Sequence, residues 1–486
     1  MAKLLIPAKR RRGPRLPLTL ATFLVPLLGL FILLNISPVR SPLGENEASL
    51  ALAARHLGEP GLAHNIVESH LTATSVALTA LGRTILGSSE FQLRILGLLA
   101  GIAAMSVLLR LGERLYSTRV GILTVILLFA TASGRDLLGA QLSVAPFYLL
   151  TSCLALRSIR VLAISRMAGV YTGAAIGASF SLVGFSALWL LLFTAIWLRR
   201  LRGLTLGNSL QLMSVTIIAA SAVSLTSIGI LMAHGSPMSE AFAAGIGGMT
   251  SHSTPENFAQ SLFVFLPLLP VVGLGISVRP AGWRWQGSPR FMGIWLFCSL
   301  LELLFTGQWA SFFVALCTSI AVPCIWAIEN SSRRNAALTL ATSISILMIV
   351  FSLSPGQIER RSHESWAARE TSRFARRMVP LDVPIRTATG LQNRIAYYGR
   401  RQTLPPEASD WRQTPYILVE RASLTGMNQD VPLPRELLFE GVPTRIVAEI
   451  GPYVLGKQSG NAPDIETEKS RAAPVLDRHA TFWQSP

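Results

Sequence analysis

Residues 91–131 read FQLRILGLLAGIAAMSVLLRLGERLYSTRVGILTVILLFAT. An apolar run at 91–111 is long enough to cross a bilayer. Arg110, Arg114 and Arg119 gather where it ends, and a second apolar run, 120–135, goes back the other way. A helix, a basic turn and a returning helix are the repeating unit of a polytopic membrane protein, because arginines hold such turns on the cytoplasmic side.

The same unit recurs along the chain. Further apolar runs lie at 16–36, 139–156, 168–183, 185–198, 208–233, 258–278, 291–307, 309–328 and 336–354, about 11 spans with the first two. Arginine clusters at 157–166, 199–202, 279–290 and 333–334 fall on every second turn. Merging 168–183 with 185–198 would destroy that alternation, so the two are kept apart. Residues 1–15 are then a basic cytoplasmic head. The run at 16–36 has no small-residue cleavage site after it and reads as an uncleaved first helix. An odd number of spans puts everything after 354 outside.

Composition agrees with this reading. Half of the 486 residues are apolar, 14% are charged and the mean hydropathy is +0.46; a soluble chain would carry about a quarter charged residues. The net charge of +17 is spread over short turns, which speaks for a lipid bilayer as partner and against nucleic acid. The four cysteines lie in apolar runs without CxxC spacing, so neither a disulfide framework nor a zinc site is expected. Between Lys9 and Lys457 there is no lysine.

The expected outer loop, 37–90, is the first polar stretch. Its segment 44–81, GENEASLALAARHLGEPGLAHNIVESHLTATSVALTAL, holds four of the eleven acidic residues found before position 355. Leu50, Ala51, Ala54 and Leu57, and then Leu71, Val76 and Leu78, recur at helical spacing. They predict two short interfacial helices. His56, His64 and His70 fit no compact ligand pattern, so a metal is not indicated. Glu302 is a carboxylate inside an apolar run, where it needs a partner or a water-filled cavity; its place near the run's end also admits a solvated position.

Beyond 354 the chain turns polar. A charged helix is expected at 356–378, then strands at 384–387, 394–398, 416–420 and 445–455, making a small extracytoplasmic α/β domain over 355–457. Residues 458–486 read as a disordered tail.

Several stretches resemble the GT-C membrane glycosyltransferases, in particular glycosyltransferase family 39 and its aminoarabinose-transferase relatives. They are ENEASLALAARHLGEPG, LGSSEFQLRILGLL with the basic turn after it, PENFAQSLFVFLPLLPVVGLG, RTATGLQNRIAYYGRRQTLPP and RIVAEIGPYVLGK. The resemblance implies a multi-pass protein of the cell (cytoplasmic or inner) membrane. It would move a sugar from a polyprenyl-phosphate donor to a lipid, glycan or protein acceptor, with no certain cofactor. Such a reaction needs a base for the acceptor hydroxyl and a cation for the departing phosphate. Glu47 is then the candidate catalytic base, with Asn46 beside it in the catalytic pair, and His70, Glu68, Arg94, Arg135, Asp136 and Glu302 are candidate substrate-binding residues. Glu47 also fits a helix-start acid, and Arg94 a snorkelling interface residue.

The departures from the family are specific. Asn46 stands where the family has an acid, Val144 or Ala145 where it has a second, and Ser69 or His70 and Val183 where it has lysines. They leave an alternative, a catalytically inactive relative that binds or assembles in envelope glycan synthesis. A transporter would show paired inverted repeats, and none is visible.

Overall fold

The structure is a computed structural model. It describes residues 42–56, 71–139, 142–160, 166–200, 205–233, 288–306, 309–330, 355–380, 383–387, 391–400, 403–404, 415–421, 436–439, 442–450 and 452–458, with isolated positions between 238 and 276. The expected spans 16–36 and 336–354, nearly all of 258–278, the basic head and the tail beyond 458 lie outside the described residues. The chain divides into two units. Ser41–Leu52 groups with Glu359–Pro486; Met1–Arg40 and Ala53–Ile358 form the other. The expected outer loop is thus shared between them.

The larger unit is helical. Its described helices are the C-terminal end of α1 (Glu45–Arg55), then α2 (Ala73–Leu86), α3 (Glu90–Leu115), α4 (Thr118–Ala130), α5 (Ala132–Leu137), α6 (Ala145–Ile159), α7 (Arg166–Val183), α8 (Leu188–Arg200), α9 (Leu206–Ala233), α10 (Ser288–Thr306) and α11 (Ala310–Asn330). Among the described residues, four stretches are long and apolar enough to cross a membrane: Glu90–Leu115, Met167–Arg200, Leu206–Thr226 and Ala310–Ala327. Shorter apolar helices include Thr118–Phe129 and Ala145–Ile159. Exposed Leu206, Leu210, Ile217, Ile218 and Leu225 along α9 make an apolar outer wall suited to lipid.

Two boundaries differ from the sequence expectation. The run 120–135 is not one helix. Thr131 is extended and its Oγ1 accepts from the Gly134 N–H at 3.0 Å, capping a new helix, α5. The run 139–156 becomes helical only at Ala145, where Pro146 fits the first turn.

Met167–Arg200 contains 34 residues. As one straight helix it would run about 51 Å, well beyond the hydrocarbon thickness. It is two helices that reverse at a 3-10 turn, Gly184–Ala187, opened by Gly184 at φ +60°. The pairing of α7 with α9 establishes the reversal. Gly173 packs on Thr216 and Gly177 on Ala220, in parallel register, so close that an added Cβ would sit 2.4 Å from each carbonyl oxygen. Leu198, at the end of α8, joins Ala168 and Leu212, at the starts of α7 and α9. The chain must therefore have come back along α8.

One end of this unit is basic. Arg119 pairs with Glu329 at 3.1 Å, which also accepts from Tyr116 Oη, and Tyr116 meets Trp326 edge-on. Arg160, after α6, lies over Phe291 at the start of α10. Burial first, and the Arg114 charge second, lower the Arg160 guanidinium to about 10. Among the described residues, the arginines after α3 and after α6 and the start of α10 gather at this end.

The smaller unit is a six-stranded sheet in the order β2-β1-β3-β6-β5-β4, with two helices, α12 (Pro355–Met378) and α13 (Gln392–Gly399). Its strands are β1 (Ile385–Thr387), β2 (Thr403–Leu404), β3 (Tyr416–Glu420), β4 (Glu436–Phe439), β5 (Val442–Ile450) and β6 (Tyr453–Gln458). β1 pairs in parallel with β2 and β3, and the remaining pairs are antiparallel. Ala367, Ala368 and Ala375 of α12 and Ile395 of α13 pack on Ile385, Leu418 and Leu455. The expected strand at 394–398 is helix α13. Ile395 and Gly399 are its buried positions, one turn apart, whereas a strand would alternate. The expected strand at 445–455 is a hairpin, β5–β6.

Candidate functional site

The end of the helical unit away from the arginine turns holds its interior charge. Arg94, one turn into α3, is 1% exposed; Arg135, in the last turn of α5, 8%; and Glu302, in the last turn of α10, 4%. Among the described residues these are the only charged side chains buried in this unit. The α5–α6 connection crosses α3 here: Gly139 rests on the Gly97 backbone and Pro146 lies near Gly97.

Glu302 sits in a polar cluster drawn from four helices. Tyr148 Oη of α6 donates to Glu302 Oε1 at 2.7 Å. Trp189 Nε1–H of α8 donates to Tyr148 Oη at 2.8 Å, and Ser311 Oγ of α11 lies 2.7 Å from it. A phenol has one proton, and Tyr148 uses it on Glu302, so Ser311 is the donor in the last bond. Among the described residues, none is seen to hydrogen-bond Glu302 Oε2 or Trp295 Nε1. Tyr148, Ser311, Trp189 and Trp295 line a cavity of about 10 Å³, near the lower limit for one water molecule. That space admits no sugar. Glu302 is buried, not solvated, as one of the two sequence readings expected.

Arg94 is enclosed by protein, so it does not snorkel along an interface. Asp136 lies on α5 beside Arg135; its side chain lies outside the described residues. His70 and Glu68 also lie outside them.

In the first loop, α1 begins at Glu45. Glu47 is 7% exposed and Asn46 is exposed. Glu47 Oε2 accepts from the Gly44 N–H at 2.7 Å, and the Gly44 carbonyl accepts from the Ala48 N–H at 2.8 Å. Glu47 thus makes the carboxylate half of a capping box, closing the first turn from its third position. The preceding amide, Leu43 N–H, donates to Tyr398 Oη of α13 at 2.7 Å. The second loop helix, α2, has its own box: Thr72 Oγ1 accepts from Ser75 N–H and also donates to the Leu182 carbonyl of α7. It is therefore built into the helical unit at its N-terminus.

Glu47, Asn46 and Tyr398 belong to one unit, and Arg94, Arg135 and Glu302 to the other. Sequence reasoning missed Tyr148, Ser311, Trp189 and Tyr398. A tyrosine or serine in an apolar run carries little signal until a carboxylate from another helix arrives beside it. Val144, at one of the positions where the resembled family has an acid, is buried in the apolar core. No group of three or more His, Cys, Asp or Glu able to hold a metal occurs among the described residues.

The expected runs that fall within the described residues are helical, 120–135 with its break at Thr131, and a buried charged end opposes a basic one, the architecture of a polytopic helical membrane protein. No protein-family model matches the sequence, and no curated protein matches it. The fold does match solved structures. ArnT from Cupriavidus metallidurans in the apo state superposes with a TM-score of 0.61, covering 90% of this chain and 98% of that one at 12% identity. ArnT bound to undecaprenyl phosphate superposes at 0.57, covering 91% and 100%, again at 12% identity. The chain has the GT-C fold; at this identity the likeness is one of fold.

Proposed function

We propose that this protein is an integral-membrane glycosyltransferase that moves a sugar from a polyprenyl-phosphate donor to a lipid, glycan or protein acceptor. The observation that carries the reading is the likeness to ArnT over nearly the whole of both chains, one of those structures holding undecaprenyl phosphate. The buried Arg94 and Arg135 support it, as cations suited to a lipid phosphate at a low-dielectric end of the bundle. The protein sits in the cell (cytoplasmic or inner) membrane, with the arginine turns cytoplasmic and the C-terminal domain outside. Glu47 serves as base for the acceptor hydroxyl. His70, Glu68, Asp136 and Glu302 complete or support the donor site.

A second reading, an inactive relative that keeps the fold for binding or assembly, has its own support. Glu47 spends one oxygen on Gly44, Asn46 cannot act as a base, and Val144 is apolar. Purified protein in nanodiscs, given labelled polyprenyl-phosphate sugars and membrane acceptors, separates the two. A transferase turns over, and Glu47→Gln lowers its rate by about 10²–10⁴-fold. Donor binding without turnover in the wild type establishes the inactive relative, and Glu47→Gln then changes stability by under about 1 kcal/mol.

A further inference from the structure

We propose that Tyr398 is a positioning residue for Glu47, so that the C-terminal unit aims the acid of the first loop. This rests on the transferase reading. Tyr398 lies 355 residues from Leu43, yet its Oη accepts the Leu43 N–H at 2.7 Å. The very next amide, Gly44 N–H, donates to Glu47 Oε2 at the same 2.7 Å. Two consecutive amides at the start of α1 are therefore held, one by α13 and one by the acid itself. Pinning the Leu43 N–H holds the peptide unit just before Leu43, only the φ and ψ of that buried residue away from the unit that carries the Gly44 N–H, and that N–H orients the Glu47 carboxylate. Leu43 is fully buried, so its amide has no water to turn to.

The anchor is itself held. The Arg369 guanidinium of α12 lies over the Trp366 ring at 5.0 Å and over the Tyr398 ring at 5.8 Å. The Tyr397 ring meets Tyr398 edge-on at 5.1 Å. One turn before, Ile395 is seated in the core of the sheet. The grouping of Ser41–Leu52 with Glu359–Pro486 expresses the same tie across the whole chain. A glutamate has three free side-chain torsions, and misplacing a reacting group by about 1 Å can cost roughly 10²-fold in rate. An acid on a short loop helix needs such an external reference, and Tyr398 provides it.

The test is Tyr398→Phe in the full chain in nanodiscs, a change that removes only the hydroxyl, oxygen and proton together. Amide exchange in peptides covering 42–55 should rise, while exchange over β3 and β6 stays as in the wild type. Turnover should fall by about 10- to 100-fold with the KM for the polyprenyl-phosphate sugar unchanged. Combined with Glu47→Gln, the Tyr398→Phe change should cost nothing further, because an aim matters only while there is an acid to aim. Unchanged exchange at 42–55, a fall confined to KM, or losses that multiply in the double variant would each overturn the proposal. A wild-type chain that turns over no donor sinks the transferase reading and the positioning role with it. In that event the exchange arm still reports separately whether Tyr398 anchors the loop.

Discussion

The two ends of the helical unit carry the same residue types and use them in opposite ways. At the basic end Arg119 is 56% exposed, and its ion pair with Glu329 forms in contact with solvent. Such a pair contributes little to stability, about 0–1 kcal/mol. At the far end Arg94 and Glu302 are withdrawn from solvent and lipid alike. A charge in that position is costly unless served by partners. The position of a charge along its helix therefore separates solvated ion pairs from buried charge in this protein.

The contrast is sharpest in arginine substitutions. Arg94→Leu should destabilise the protein strongly, by roughly 3–5 kcal/mol, since it removes a cation enclosed at 1% exposure and leaves the groups that answer it unserved. A thermal or denaturant shift in detergent that is no larger than that of Arg119→Leu would erase the distinction between the ends.

Tyr148→Phe should come next. It leaves Trp189 Nε1–H, Ser311 Oγ and Glu302 without their shared partner, at a cost of about 1–3 kcal/mol or somewhat more. A neutral outcome would mean that the cluster fills space without joining its four helices. Arg119→Leu should cost under about 1 kcal/mol.

The smallest effect on stability comes with a decisive positional readout. In a background without the four cysteines, Phe185→Cys, in the 3-10 turn, and Ser117→Cys, between α3 and α4, should be labelled by impermeant reagents from opposite sides of sealed vesicles. Labelling of both from one side would undo the reversal at Gly184 and the assignment of ends with it.

The sequence by itself determined the membrane class of the protein and the arginine alternation, and it singled out Arg94, Arg135 and Glu302, all three of which are buried. These features depend on local composition: apolar length sets a span, and charge in a short turn sets its side, whatever the neighbours are. It even separated α7 from α8, because the alternation needed a reversal there. It misjudged 394–398, since a short run of Ile and Tyr suits a strand or a helix equally until packing chooses. It ran past Thr131, whose single hydroxyl ends one helix and begins another. It left Glu47 evenly divided between site and cap, and the structure shows the cap bond. Only tertiary structure could bring Tyr148 to Glu302, 154 residues away, or Tyr398 to Leu43. Hydrogen bonds between distant segments leave no periodicity in the chain. They exist only once packing has brought the two partners together and removed the water that would otherwise serve each of them.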